Sequence, residues 1–112
     1  VNLDQWSDAI GDLMESKGFH DGRTNTRDDM LVRLCLCHSE ITEAVQEVKR
    51  HWQGEGEWAL RVKAARELGD AMYRILDIFW CLGISPEEIM QDIHANNSGR
   101  PRNYGTPVEE GI

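Results

Sequence analysis

Two long apolar stripes, on either side of Gly54-Glu55-Gly56, constrain this chain more than anything else in it. From residue 27 to 53, Met30, Leu34, Cys37, Ile41, Ala44, Val45, Val48 and Trp52 recur at helical steps. From 57 to 82, Trp58, Ala65, Leu68, Met72, Ile75, Leu76 and Phe79 do the same. Three- and four-residue spacing keeps one helix face apolar, and no segment shows the two-residue alternation of a strand. The expectation is an all-α fold with two central helices, each roughly 40 Å long at 1.5 Å per residue.

Two shorter helices flank them. Leu3, Trp6, Ile10, Leu13 and Met14 give residues 3 to 17 an amphipathic pattern, with Asn2 or Asp4 available to cap it and Gly18 to stop it. The glycine, asparagine and aspartate content of residues 18 to 25 reads as a loop, and Thr26 caps the next helix with Asp29 at the third position. Gly83 ends the third helix. Ser85-Pro86-Glu87-Glu88 is a helix start, a cap followed by proline at the first position, and Ile89, Met90 and Ile93 give the fourth helix a small apolar face that fades near Asn97. Gly99, Pro101, Gly105, Pro107 and Gly111 then make residues 99 to 112 an irregular tail beyond a domain spanning residues 1 to 98. Two short helices cover two 40 Å stripes poorly, so a second copy is expected to complete the bundle, as a homodimer or a higher homo-oligomer.

At 112 residues the chain has room for one domain. Its formal charge of -8 argues against polymeric nucleic acid or an anionic membrane surface as partner, since both require clustered cations. A free nucleotide carrying magnesium remains compatible. The longest apolar run, Ile78 to Leu82, is too short to span a bilayer and no signal-type leader is evident, so a soluble, cytoplasmic protein is expected. Cys35, Cys37 and Cys81 are an odd number, and the first two diverge on a helix, so reduced buried thiols are expected in place of a disulfide framework.

Function enters with the acids. Glu40-Ile41-Thr42-Glu43 and Glu67-Leu68-Gly69-Asp70 each place two carboxylates three residues apart, about one turn along a helix. Periodicity puts Glu40, Glu43 and Glu47 opposite Ile41, and Lys63, Glu67, Asp70 and Arg74 opposite Met72, which by itself describes two solvated faces. Against that, like charges at three- and four-residue steps repel, and Leu36 and Cys81 interrupt the two polar faces. If the faces meet, four carboxylates converge, and oxygen donors without nitrogen or sulfur suit Mg²⁺ or Mn²⁺.

Glu40-x-x-Glu43, twenty-three intervening residues, and Glu67-x-x-Asp70 resemble the signature of the all-α nucleoside triphosphate pyrophosphohydrolases, the group of MazG-like proteins, dimeric dUTPases and phosphoribosyl-ATP pyrophosphohydrolase. The Gly83-Ile84-Ser85 turn, thirteen residues past Asp70, and His94-x-x-Asn97-x-x-Arg100 resemble that group as well, over residues 28 to 102. One departure is Ser39, where the family often has a further acid. The resemblance implies a four-helix MazG-like bundle in which Glu40, Glu43, Glu67 and Asp70 hold two or more Mg²⁺ ions on a nucleoside triphosphate. Water then attacks the α-phosphorus and pyrophosphate leaves, as in cleansing of the nucleotide pool. Glu40 or a metal-activated hydroxide would be the base, Asn97 and Arg100 would bind phosphate, and Lys63 is a weaker phosphate candidate that can equally pair with Glu67. Narrower substrates, a deoxypyrimidine triphosphate or phosphoribosyl-ATP, are alternatives. So is a bundle of another class, a helical interaction module or a metal carrier without hydrolase activity.

Other residues suggest less. Cys35-x-Cys37-His38 has neither zinc nor haem-attachment spacing, so His38 is expected to be a packed histidine. Glu47 and His51 stand four apart, unlike the Glu-x-x-His of di-iron bundles, and there is no glycine-rich phosphate loop. Trp6, Trp52, Trp58 and Trp80 are expected in the core, although His51, Trp52 and Trp58 flank the break between the long helices, where a nucleobase could lodge.

Overall fold

The computed structural model describes residues 1–22 and 26–100, and all of its regular structure is helical. α1 runs Leu3–Ser16, α2 Arg27–His51, α3 Trp58–Leu82 and α4 Pro86–Ser98. The two 25-residue helices pack along each other, α1 lies against α3, and α4 docks on α1. The expected tail from residue 101 onward lies outside the described residues.

Helix ends fall where local chemistry demands them. Asn2 accepts from the Gln5 N–H while the Gln5 side chain accepts from the Asn2 N–H, both at 2.9 Å, a reciprocal capping box. Asp4, the other candidate cap for α1, serves α4 instead. It accepts from Ser85 Oγ at 2.8 Å and from the Glu87 N–H at 3.1 Å, while Glu87 accepts from the Leu3 N–H. Two helix N-termini are thus tied by each other's acids, which also suit the positive ends of the helix dipoles. Gly18 and Gly83, both at positive φ, end α1 and α3 alike: Phe19 and Ile84 donate back to Met14 and Phe79, and the glycines to Glu15 and Trp80. This is the Schellman arrangement that favours glycine at C′.

α1 approaches α3 closely because Gly11 has no side chain. A Cβ there would sit 2.0 Å from Trp80 Cγ. Ser7, buried in the same contact, donates its hydroxyl to the Leu76 carbonyl at 2.8 Å. Both residues serve one purpose, bringing a short helix flat against a long one.

The α2–α3 seam corrects the expectation from periodicity. Its buried and half-buried positions are Arg33, Cys37, Glu40, Ala44 and Glu47 on α2, and Leu60, Ala64, Glu67, Ala71, Arg74 and Ile78 on α3. These also recur at three- and four-residue steps, but they alternate small residues with charged ones. Leu34, Ile41, Val45, Val48, Leu68, Met72 and Ile75, expected to form the core, are exposed to a third or more of their surface. Ion pairs form where the seam is polar: Arg74 Nε donates to Glu40 Oε1 at 3.0 Å, and Lys63 Nζ lies 3.3 Å from Glu47 Oε2. Small alanines let the backbones approach, and the charges neutralise each other across the gap. Part of each polar face, Glu40 and Glu47 on α2 and Glu67 and Arg74 on α3, therefore turns inward; of the expected apolar stripes Cys37, Ala44 and Leu76 are buried, while most of the larger residues of the stripes remain uncovered within one chain.

Other placements differ too. Trp6 and Trp58 are exposed, the latter at 72 % with the Arg61 guanidinium over its ring, so two of the four tryptophans are not core. Cys35 and His38 point outward on α2, away from the seam that buries Cys37. No described helix is long and apolar enough to cross a membrane.

Candidate metal centre

The seam brings Glu40 of α2 together with Glu67 and Asp70 of α3. One carboxylate oxygen from each lies within 4.8 Å of the others. Glu40 and Glu67 are half-buried and Asp70 is exposed, so the cluster opens to solvent on one side. The three-residue spacing of Glu67 and Asp70 places both on the turn that faces Glu40. Among the described residues these three form one of two groups whose candidate ligand atoms lie close enough together to hold one ion.

Glu43, one turn beyond Glu40, is exposed and is not within that 4.8 Å set. It is nevertheless part of the same field: the charge on Glu40, then loss of hydration, then the charge on Glu67 hold its carboxyl above the ordinary value. Four carboxylates thus converge electrostatically, three of them by direct approach. Arg74, which spacing places on the polar face with Glu67 and Asp70 but to which it assigns no role, is the cation at this cluster. It donates from Nε to Glu40 Oε1 at 3.0 Å, one of the two carboxylate oxygens. A helical-wheel count of charged residues at steps of three and four along α3 identifies Arg74, since it falls one turn after Asp70.

The remaining candidates are dispersed. Lys63 pairs with Glu47 in place of Glu67, in a group completed by His51 Nε2, 3.8 Å from the same Glu47 oxygen. Trp52 caps α2 and folds over Gly56, where a Cβ would meet its indole at 2.3 Å. Trp58 faces solvent, so His51, Trp52 and Trp58 occupy one end of the seam in three different environments. Asn97 and Arg100 lie exposed at the end of α4, a helix packed on α1 rather than on the acidic seam. Within one chain the described contacts do not bring them to the carboxylates.

Next to the acids, between α1, α2 and α3, is a cavity of about 80 Å³ lined by Phe19, His20, Arg33, Leu36, Arg74 and Asp77 among others. Arg33 is only 8 % exposed, and its Nη1 is buried. A second candidate constellation borders this cavity: His20, Asp77 and Cys81. Nothing in the sequence pattern links a loop histidine to two residues on α3 more than fifty positions away.

No protein-family model, curated protein or solved structure matches the chain. What fold and site define is a class: an all-α protein of four helices, with two long central helices whose facing sides carry a cluster of carboxylates.

Proposed function

We propose that this protein is a Mg²⁺-dependent pyrophosphohydrolase that converts a nucleoside triphosphate and water to the monophosphate and pyrophosphate. The observation that carries the reading is the convergence of Glu40, Glu67 and Asp70 across the α2–α3 seam, with Glu43 inside their field. An all-oxygen donor set with surplus negative charge fits a hard divalent cation, and the raised affinity of Glu43 for a proton is the repulsion that such a cation relieves. The acid motifs and the Gly83-Ile84-Ser85 turn supply the resemblance that selects this chemistry among the uses of an acidic cluster.

On this reading Glu40, Glu67 and Asp70, joined by Glu43, would hold the cation. When bound, Mg²⁺ supplies charge neutralisation for the triphosphate and acidifies water. The protein's own groups do the rest. Glu43 or Glu40 takes the proton of the attacking water, and in-line attack at the α-phosphorus expels pyrophosphate without a covalent intermediate. Arg74, bonded to Glu40, holds that carboxylate in place and offsets part of the cluster's negative charge. Asn97 and Arg100 act as phosphate donors only if a second copy or a closed arrangement carries them to the seam.

The uncovered apolar stripe supports the further reading that the active form is a homodimer or higher oligomer. Ile41, Val45, Val48 and Leu68 line an open apolar groove along α2 and α3, and a surface of this extent is unusual on a monomer. The same stripe would serve a non-catalytic interaction module, and activity separates the two. The deciding experiment is a panel of ribo- and deoxynucleoside triphosphates, plus phosphoribosyl-ATP, assayed with and without Mg²⁺ or Mn²⁺ for pyrophosphate and monophosphate in equal amounts. Absence of metal-dependent pyrophosphate release across the panel refutes the hydrolase reading.

A further inference from the structure

We propose that His20, Asp77 and Cys81 form a second metal site, suited to Zn²⁺ or a similar transition metal and distinct from the carboxylate cluster. Asp77 and Cys81 stand four apart on α3 and so share a face, and the Gly18 turn that ends α1 delivers His20 to them. His20 Nε2 lies 2.9 Å from Asp77 Oδ1 and 3.7 Å from Cys81 Sγ. With Zn–S near 2.3 Å and Zn–N near 2.0 Å, a tetrahedral site has an S···N edge of roughly 3.6 Å, which the pair already matches. The corresponding O···N edge is about 3.3 Å, so Asp77 need retreat by only a few tenths of an ångström.

The other ring nitrogen supports the same assignment. His20 Nδ1 is 3.0 Å from Glu15 Oε2. A carboxylate on the non-ligating nitrogen is the usual outer partner of a metal-bound histidine, because it fixes the tautomer and turns the Nε2 lone pair toward the metal. In the tautomer that donates from Nδ1 to Glu15, a neutral imidazole presents Nε2 as a lone pair to a carboxylate and a sulfur. Three ligand atoms then lie within 4.8 Å of one another, close enough for one cation to bind all three. The ring cannot swing away easily: its side chain is 9 % exposed and it stacks on Trp80, with centroids 5.1 Å apart.

Charge also closes. Burial, with the charges of Asp77 and Glu15, holds the Cys81 thiol above its ordinary value against the opposing pull of the neighbouring Arg33, so a bound metal would have to displace its proton. A divalent ion and the Arg33 guanidinium would balance Glu15, Asp77 and a Cys81 thiolate. The ligand chemistry differs from that of the acidic cluster, since nitrogen and sulfur select borderline metals that carboxylates alone do not. The rival occupant is a proton, which would make His20 an imidazolium bridging Glu15 and Asp77, a structural ion pair only.

Cobalt substitution distinguishes them. The metal-free full chain is titrated with Co²⁺ and read by the thiolate-to-cobalt charge-transfer band, then displaced with Zn²⁺ against a chromophoric chelator. The expected result is one Co²⁺ per chain with that band, retained in Glu67→Gln and in Cys35→Ser. Cys81→Ser abolishes the band, and His20→Gln weakens Zn²⁺ binding by at least roughly tenfold, as does loss of an outer partner in Glu15→Gln. Circular dichroism verifies that each variant folds. Absence of the band in the wild-type chain overturns the proposal whatever the variants do, and a band that survives Cys81→Ser in a folded protein places the metal elsewhere.

Discussion

Replacing Glu67 by glutamine should have opposite effects on stability with and without magnesium. The substitution keeps the shape of the side chain and removes one charge from a cluster whose carboxylate oxygens lie within 4.8 Å of each other. At that separation two unit charges repel by about 0.9 kcal/mol in water, and physiological salt screens roughly half of it. Glu67 faces two such charges, Glu40 and Asp70, and Arg74 already offsets part of the first. Removing its charge therefore relieves about 0.5–1 kcal/mol in the metal-free protein, a rise of a few degrees in Tm for a domain of this size. Magnesium reverses the order. At a concentration about 100 times its dissociation constant, a ligand bound to the native state alone stabilises it by about 2.7 kcal/mol, and this is the contribution the variant forfeits in large part. Thermal melts followed by circular dichroism, in chelator and in a Mg²⁺ series, should show curves that cross: variant above wild type without metal, below it with metal. If Glu67→Gln melts lower in chelator, or if Mg²⁺ raises both proteins equally, the carboxylates are not a cation site.

Glu43→Gln and Asp70→Asn should each lower Mg²⁺-dependent pyrophosphate release by orders of magnitude while the helical signal is retained; a wild-type rate in either means that the metal is held elsewhere. Glu43 also makes a pH prediction. Because Glu40 raises its folded-state value above the ordinary 4.5, the native protein holds this proton more tightly than the unfolded chain. Its contribution to stability is present at low pH and is lost as pH rises through the folded value, so Glu43→Gln should flatten the pH dependence of Tm above pH 4.5, and Mg²⁺ should do the same in wild type. Gly11→Ala forces a methyl group against the Trp80 indole and should cost about 1–3 kcal/mol in urea melts, despite the better helix propensity of alanine. Asp4→Ala removes the acceptor that holds the start of α4 and should destabilise by about 1–2 kcal/mol, with amide exchange in residues 85 to 89 accelerated most.

Much of the fold is legible because helix boundaries are local. Asn2, Thr26, Ser85-Pro86, Gly18 and Gly83 act on backbone groups within a few residues, so four helices emerge within about two residues of their ends. What each helix faces is not local. Of the apolar stripe of α2, Cys37 and Ala44 enter the seam as expected, yet Leu34 and Ile41, and Leu68 and Met72 of α3, do not; Ala64 and Ala71 take their place, because small side chains allow two backbones to approach and long ones prevent it. Hydrophobic periodicity marks a face that favours burial and does not say which neighbour, if any, provides it. The inward turn of Glu40 and Glu67 follows from the same choice, since the alanines share their face. Arg74 pairs with Glu40 because that face cannot close on acids alone, and His20 meets Asp77 and Cys81 because the Gly18 turn sends the chain back across α3. The carboxylates are thus readable as pairs from spacing, but as a cluster only once packing turns Glu40 of α2 toward Glu67 and Asp70 of α3.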